Sequence, residues 1–234
     1  MEIKWSASPN FSSRKGNKII AIVNHITSGQ FPGALTWLCS TQAQSSAHYI
    51  VTRTGLIYQL VKDEDASWHA GVVNKPNWKL YDGKTNPNKI SIGIEHEGYK
   101  TNGGDGTLTE AQYQATLWLH KQLINKYNIT IDNDHIIGHY RIDSVNRPNC
   151  PGPNFPWTRL FNDLKLNVIQ EVLGVFKDVP NGFWAKESIE KLVTLGLIKG
   201  DEAGNYNPNN PVTRAQLAVV LDRFYDIVLQ LLHK

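Results

Sequence analysis

The chain has 234 residues, 41% hydrophobic and 19% charged, enough for one large and one small domain or two modest ones, each with a core. Its formal net charge of +3 is too small to argue for nucleic acid, although it is uneven: residues 1–165 carry 17 Lys and Arg against 13 Asp and Glu, and the rest carry 7 against 8. No run of about 18 apolar residues is present to span a membrane, and MEIKWSASPNFSSRKGNK lacks the apolar centre of a secretory signal.

In chain order, IIAIVNHI (19–26) is a β-rich apolar run that reads as a buried strand with His25 near its end. A loop follows, with a helix expected around residues 33–41. AHYIVTRTGLIYQLV has the form of a hairpin turning at Thr54-Gly55, and residues 71–89, rich in Asn, Lys, Pro and Gly, read as a long irregular loop. ISIGIEHEGY alternates, placing Ile90, Ile92 and Ile94 on a core face and Glu95 and Glu97 on the opposite one. Thr109 and Gln112 form a capping box for a helix to about Asn128, whose buried stripe holds Tyr113, Leu117, His120, Ile124 and Tyr127. HIIGHY is a last short strand. Strands mixed with helices, one pair joined by a hairpin, predict an α/β domain: a mixed central sheet flanked by helices.

After Lys165 the texture changes to two helices joined by a Gly/Asn/Pro loop. Thr213 and Gln216 make a second capping box, and Leu217, Val220, Leu221, Phe224, Val228 and Leu231 form one apolar face. The expectation is a small all-α domain of two or three helices over 175–234. Such a unit has little core of its own and must pack on something.

HIIGHYRIDSVNRPNCPGPNFPW (135–157) gathers two histidines and a cysteine around a proline-fenced loop. A catalytic zinc needs three protein ligands and an open position. His139 at a strand end and Cys150 in a loop stiffened by prolines supply two, with His135 a rival to His139. Adjacent strand ends converge on one rim, which makes His25 the leading candidate for the third. No compact HExxH or CxxC pair decides the matter from spacing. Of the two cysteines, Cys39 reads as a small buried apolar residue, and without an export signal thiols or a metal ligand are expected over a bridge.

The motifs NHIT (24–27), SAHYIVTRTGLIYQLV (46–61), SWHAG (67–71), SIGIEHEG (91–98) and IIGHYRID…CPGPNFPW (136–157) occur in the order of one family. Over about residues 15–165 the chain resembles the zinc-dependent N-acetylmuramoyl-L-alanine amidases shared by phage lysins, bacterial wall amidases and peptidoglycan recognition proteins. The resemblance implies zinc held by His25, His139 and Cys150, and hydrolysis of the amide joining N-acetylmuramic acid to L-alanine in bacterial peptidoglycan. Zinc polarises the scissile carbonyl and acidifies water; Glu95, in the I-G-I-E position, is then the general base, with Glu97 the runner-up. His69 and Trp68 fall where relatives line the substrate cleft. Two positions depart from one branch of the family: Ala47 stands where it has a catalytic Tyr and Pro148 where it has a Lys, which leaves Arg147 as the neighbouring cation.

FKDV, FWAKESIEKLVTLGLIKG and GNYNPNNPVTRAQLAVVLDRF (about 175–224) resemble a single S-layer homology repeat, with Asp178, Trp184, Gly200 and Arg214 in motif positions. Such repeats come in threes and bind secondary cell-wall polymers; one alone implies either weak wall binding or assembly of several chains through this region. The leading expectation is a phage or prophage endolysin, made in the host cytoplasm and reaching the wall after release. The alternatives are a non-catalytic peptidoglycan-binding module and a glycosidase pairing Glu95 with Glu97.

Overall fold

The computed structural model describes residues 1–98, 105–173, 176–195, 197–198, 200–201 and 204–232, without the side chains of residues 166–173, 194, 226, 227 and 230–232. Its strands are β1 (Ile3–Trp5), β2 (Phe11–Ser13), β3 (Ala21–Ile26), β4 (Tyr49–Val51), β5 (Ile57–Gln59), β6 (Asp65–Ser67), β7 (Ser91–His96) and β8 (Ile136–Gly138). Its helices are α1 (Gly33–Leu38), α2 (Glu110–Tyr127), α3 (Trp157–Leu173), α4 (Lys186–Thr194) and α5 (Arg214–Leu232). The chain divides into two compact units, Met1–Leu164 and Lys165–Lys234.

The first unit is built on a sheet of order β1-β5-β4-β7-β3-β8, with β2 and β6 forming a separate antiparallel pair. β4 and β5 are the antiparallel hairpin expected around Thr54-Gly55, while β4, β7, β3 and β8 run parallel. β3 is hydrogen-bonded along both edges, which suits its run of apolar and β-branched residues.

The period of two divides these strands between two apolar clusters. Ile22, Tyr49, Val51, Ile92, Ile94 and Ile136 face α2 and the start of α3. On the other face Ala21, Val23 and Ile137 pack beneath Ala70, Trp78 and Ile90, so the loop expected over 71–89 covers part of the sheet. Ile50 and Leu60 on that same side pack under α1. Ile90 therefore lies in the cluster opposite to the one expected from its alternation with Ile92 and Ile94. It precedes the first residue of β7, and its ψ of 4° breaks the extended geometry that alternation requires.

Thr109 caps α2 by accepting from Gln112 N at 3.1 Å. The Gln112 side chain does not complete the box; it donates to Val51 O and Glu97 O, both at 3.0 Å, and ties α2 to the ends of β4 and β7. The box at Thr213 is reciprocal, with Thr213 N donating to Gln216 Oε1 at 2.8 Å and Gln216 N to Thr213 Oγ1 at 3.2 Å.

In the second unit, Phe176, Val179, Ile189 and Val193 form a small core joined by Phe183, Ile198 and Tyr206. On α5, Leu217, Val219, Leu221, Phe224 and Tyr225 are exposed, Val220 and Val228 are half-buried, and the side chain of Leu231 lies outside the described residues. No helix among the described residues is long and apolar enough to cross a membrane.

His120 is buried on α2, donating from Nδ1 to Thr116 O at 2.8 Å, and its Nε2 has no partner among the described residues. Burial lowers its pKa from 6.5 to about 4. The unfolded chain therefore binds this proton more tightly than the folded one, so the stability it contributes is complete above about pH 6.5 and is lost as pH falls toward 4. In His120→Leu, urea titrations should show a loss of stability between pH 7 and pH 5 smaller than wild type by about 2 kcal/mol. An identical pH dependence in the two proteins would show that His120 binds its proton equally well folded and unfolded, and would overturn the effect of burial.

Candidate metal centre and its cavity

The parallel register carries two histidines to one rim. His25 lies opposite Glu95 of β7, and Asn24 lies opposite Gly138 of β8. His139, the residue after Gly138, opens a 3-10 turn and comes beside His25. Gly138 is needed there: a Cβ would stand 2.6 Å from the Tyr140 ring and 2.8 Å from Pro151. Its absence lets the Pro/Gly loop fold back on the strand end. That loop is held at Cys150, whose N donates to Arg147 O and whose O accepts from Tyr140 N, both at 3.2 Å. One ligand atom each from His25, His139 and Cys150 lie within 4.8 Å of one another.

The proton order around the two imidazoles follows from their partners. Ser91 donates its one hydroxyl proton to Pro87 O at 2.7 Å, so at 3.1 Å its oxygen accepts from His69 Nε2. The neutral His69 ring then accepts at Nδ1 from His25 Nε2, 3.0 Å away. His139 Nε2 donates to Ala70 O at 2.9 Å. Both rings therefore turn an unprotonated Nδ1 toward the other, 3.1 Å apart. Two acceptors at that distance repel unless a cation lies between them. Metal–nitrogen bonds of about 2.0–2.1 Å at a tetrahedral angle place nitrogens about 3.3 Å apart. With a cysteine sulfur as the third donor, the set fits a tetrahedral metal with one open position. Burial lowers the pKa of both rings, keeping them neutral as ligands must be.

Glu95 lies on the same face. Its Oε2 is buried with no hydrogen-bond partner among the described residues, and burial raises its pKa to about 8, with Arg147 opposing. Glu97 is differently placed. Its carboxylate accepts from Phe31 N at 2.9 Å and Arg53 N at 2.7 Å, which commits it to holding two backbone segments and removes it as a base.

A cavity of about 980 Å³ opens over these groups. It lies where α1, carrying Trp37, and the segment 68–71 leave the strand ends uncovered, and Glu95, Arg147 and Cys150 also line it. Trp68 is partly exposed on the cavity wall, as the sequence expects of a cleft residue, whereas His69 reaches the cavity with both ring nitrogens already engaged by the protein. His48 supports the sheet, accepting from Arg14 at 2.7 Å and pairing with Ser67. His135 is occupied with Asp132, away from the centre. Cys39 lies against Ser6, and no disulfide joins it to Cys150. Sequence reasoning missed the roles of Trp37, Asn88 and Ser91: Asn88 lies in an irregular segment, and the alternation that puts Ser91 on the Glu95 face does not reveal that its hydroxyl meets His69.

In the second unit three of the four motif residues, Asp178, Trp184 and Arg214, differ in kind, while Gly200 lets Phe176 approach, since a Cβ there would stand 2.2 Å from its ring. Asp178 accepts from Tyr206 N and Asn207 N at 2.9 and 2.6 Å, so its carboxylate organises the loop before α5. Trp184 is 90% exposed, and Arg214 is exposed at the first residue of α5.

A histidine–histidine–cysteine centre at the C-terminal edge of parallel strands, beneath an open cavity and beside a buried carboxylate, defines a metal-competent hydrolase site on an α/β sheet. The chain belongs to the Amidase_2 family, N-acetylmuramoyl-L-alanine amidase, matched over residues 15–153, and carries an S-layer homology domain matched over residues 175–218. Among its relatives, N-acetylmuramoyl-L-alanine amidase A of Achromobacter lyticus is 26% identical over 69% of this chain and 92% of its own length. The amidase AmiD of Escherichia coli is 34% identical over 61% of this chain, which spans 52% of that relative. A crystal structure of AmpD superposes with a TM-score of 0.54 at 29% identity, over 70% of this chain and 94% of that one. The endolysin amidase LysCS of Clostridium intestinale shares the fold, at 23% identity and a TM-score of 0.51 over 71% and 95% of the two chains.

Replacing Cys150 by Ser should weaken metal binding at least tenfold, because a hydroxyl is a poor donor beside a thiolate. Cys150→Asp should retain more of the affinity through its carboxylate. Calorimetric titration of metal into the three proteins checks this, and equal affinities would remove Cys150 from the centre.

Proposed function

We propose that this chain is a zinc amidase that cleaves the bond between N-acetylmuramic acid and L-alanine in bacterial peptidoglycan, as an endolysin does. The observation that carries the reading is the facing pair of unprotonated Nδ1 atoms, with the Cys150 thiol close by, on the floor of a cavity that Glu95 also lines. When bound by His25, His139 and Cys150, zinc supplies Lewis acidity to the scissile carbonyl and to the attacking water. Glu95 takes the proton from that water as its oxygen adds to the carbonyl carbon. It returns the proton to the amide nitrogen as the carbon–nitrogen bond breaks, leaving a lactyl carboxylate and the free amine of L-alanine. A carboxyl whose pKa is raised by burial is suited to carry that proton between the two steps. Trp68 and Trp37 offer apolar surface to the glycan on the cavity wall, and Arg147 is the cation available where Pro148 replaces a lysine.

Product analysis of digested walls decides among readings: new L-alanine amino termini support the amidase, new reducing ends indicate a glycosidase, and neither indicates a binding module. Glu95→Gln should keep the metal and the fold while lowering turnover roughly 10²-fold or more, the scale of a lost general base. Near-normal turnover would move the base elsewhere.

The second unit, in this reading, targets the wall by binding an anionic secondary polymer, with Arg214 and Trp184 presented to it and Asp178 shaping the loop between them. The planar guanidinium of Arg214 matches a carboxylate. The apolar residues exposed along α5, Leu217, Leu221 and Phe224 among them, also favour association between copies of the chain. A chain shortened to residues 1–173 should be monomeric by light scattering, cleave soluble muropeptides like the full chain, and bind intact walls less well. Full-length protein that stays monomeric at high concentration would overturn the association.

A further inference from the structure

The two ligand imidazoles donate their outer hydrogen bonds to consecutive residues. His69 accepts the Nε2 proton of His25, and the carbonyl of Ala70 accepts the Nε2 proton of His139. We propose that the segment His69–Ala70 is a single positioning unit that locks both imidazoles with Nδ1 toward the metal, and that Asn88 holds the unit in place. This rests on the zinc reading above and adds the residues that set the ligands' tautomers.

The anchoring is specific. Asn88 Oδ1 accepts from both His69 N at 3.1 Å and Ala70 N at 2.8 Å, so one side chain fixes the backbone of both positioning groups. Asn88 is itself held through its carbonyl by Arg14 Nη1 at 3.1 Å, and Arg14 Nη2 donates to Ser91 O at the same distance. Ser91 is the residue whose hydroxyl orients His69. A buried guanidinium therefore joins the two ends of the support, the amide that holds the segment and the serine that sets its histidine. The sheet beneath makes room for the ring: a Cβ on Gly93 would lie 2.4 Å from His69 Cγ, so any side chain there would displace the imidazole. The glycine of the SIGIE motif and the histidine of the WHAG motif are thus two halves of one contact.

The chemistry of this arrangement differs from packing. An imidazole free to exchange tautomers spends part of its time with Nδ1 protonated and unable to bind a metal. An acceptor at Nε2 removes that state, fixes the ring's direction and raises the basicity of the opposite nitrogen. His69 touches neither metal nor substrate in this role and is a positioning residue.

The test is zinc affinity of the full chain, measured by competition with a chelator in the absence of any wall substrate. His69→Ala should raise the zinc dissociation constant roughly 10- to 100-fold, the usual cost of losing an outer partner of a metal ligand. His69→Gln should recover most of that loss, because its amide oxygen can accept from His25 while its NH2 donates to Ser91. Gly93→Ala should weaken binding without removing any hydrogen-bonding group. Proton NMR of the zinc-loaded proteins supplies a second readout: the hydrogen-bonded Nε2 proton of His25 should be visible downfield in the wild type and in His69→Gln, and absent in His69→Ala. Equal zinc affinity in wild type and His69→Ala, or no recovery by Gln in a protein that melts like the wild type, would overturn the positioning role. Failure of the wild type itself to bind zinc would overturn the metal reading together with it.

Discussion

The parallel pairing of β3 with β7 on one edge and β8 on the other is the constraint on which the site depends. Three strands running the same way end at the same rim, so His25, Glu95 and His139 meet although they are far apart in sequence. Each of these strands alternates between two duties. Ile22, Ile92, Ile94 and Ile136 anchor the sheet to α2, while the intervening positions of β3 and β7 present His25, Gly93 and Glu95 to the other face. A slip of one residue would exchange the two sets and bury the chemistry under the helix. The apolar contacts on the helix face therefore fix the register that the site requires. They also stabilise a sheet that must bear buried histidines and a carboxylate whose Oε2 has no hydrogen-bond partner among the described residues.

How much of this could be read from the chain depends on whether a residue acts through local pattern or through distant partners. The strand holding His25 and the one ending just before His139 were legible, since β-rich apolar runs that end in polar residues mark buried strands; the expected strand over HIIGHY stops at Gly138, and His139 opens a 3-10 turn. The convergence of those histidines with Cys150 was legible as a candidate, with the third ligand supplied by the family resemblance, and one ligand atom from each lies within 4.8 Å of the others. The short strands β1, β2 and β6 were not legible, because three residues give no period and β1 and β2 are exposed. Gln112 read as half of a capping box because its spacing from Thr109 is right, yet its amide reaches across to β4 and β7. Glu97 read as a spare base because alternation put it beside Glu95, but the strand ends at His96 and the carboxylate turns to backbone amides instead. The Asn88 side chain works through partners 18 and 19 residues away and Arg14 through partners 34 to 77 residues away, and no periodicity carries that information.

The second unit illustrates a different limit. Its core of Phe176, Val179, Ile189 and Val193 is small, and α5 adds an apolar face that stands exposed. Capping at Thr213 and the Asp178 bonds to the loop before α5 settle local geometry without adding apolar burial. Local rules thus specify this unit's shape more fully than they specify its stability, the condition in which association with another surface contributes most.

On the first unit, chemistry and recognition are drawn from different parts of the chain but are not independent. The candidate metal ligands and Glu95 come from strand ends and the loop that folds back on them, whereas the cavity walls come from α1 and the loop covering the second cluster. Loops of this kind ordinarily vary without disturbing the scaffold. Here the same loop system that shapes one cavity wall also contains His69, Ala70 and Asn88, which bear on the imidazoles from behind. A change at Trp68 aimed at the glycan would move the backbone one residue from His69. A change at Trp37, on α1, meets no such coupling. Substrate preference in this protein is therefore freer to change from the α1 side of the cavity than from the side of residues 68–88, where recognition and metal geometry share a backbone.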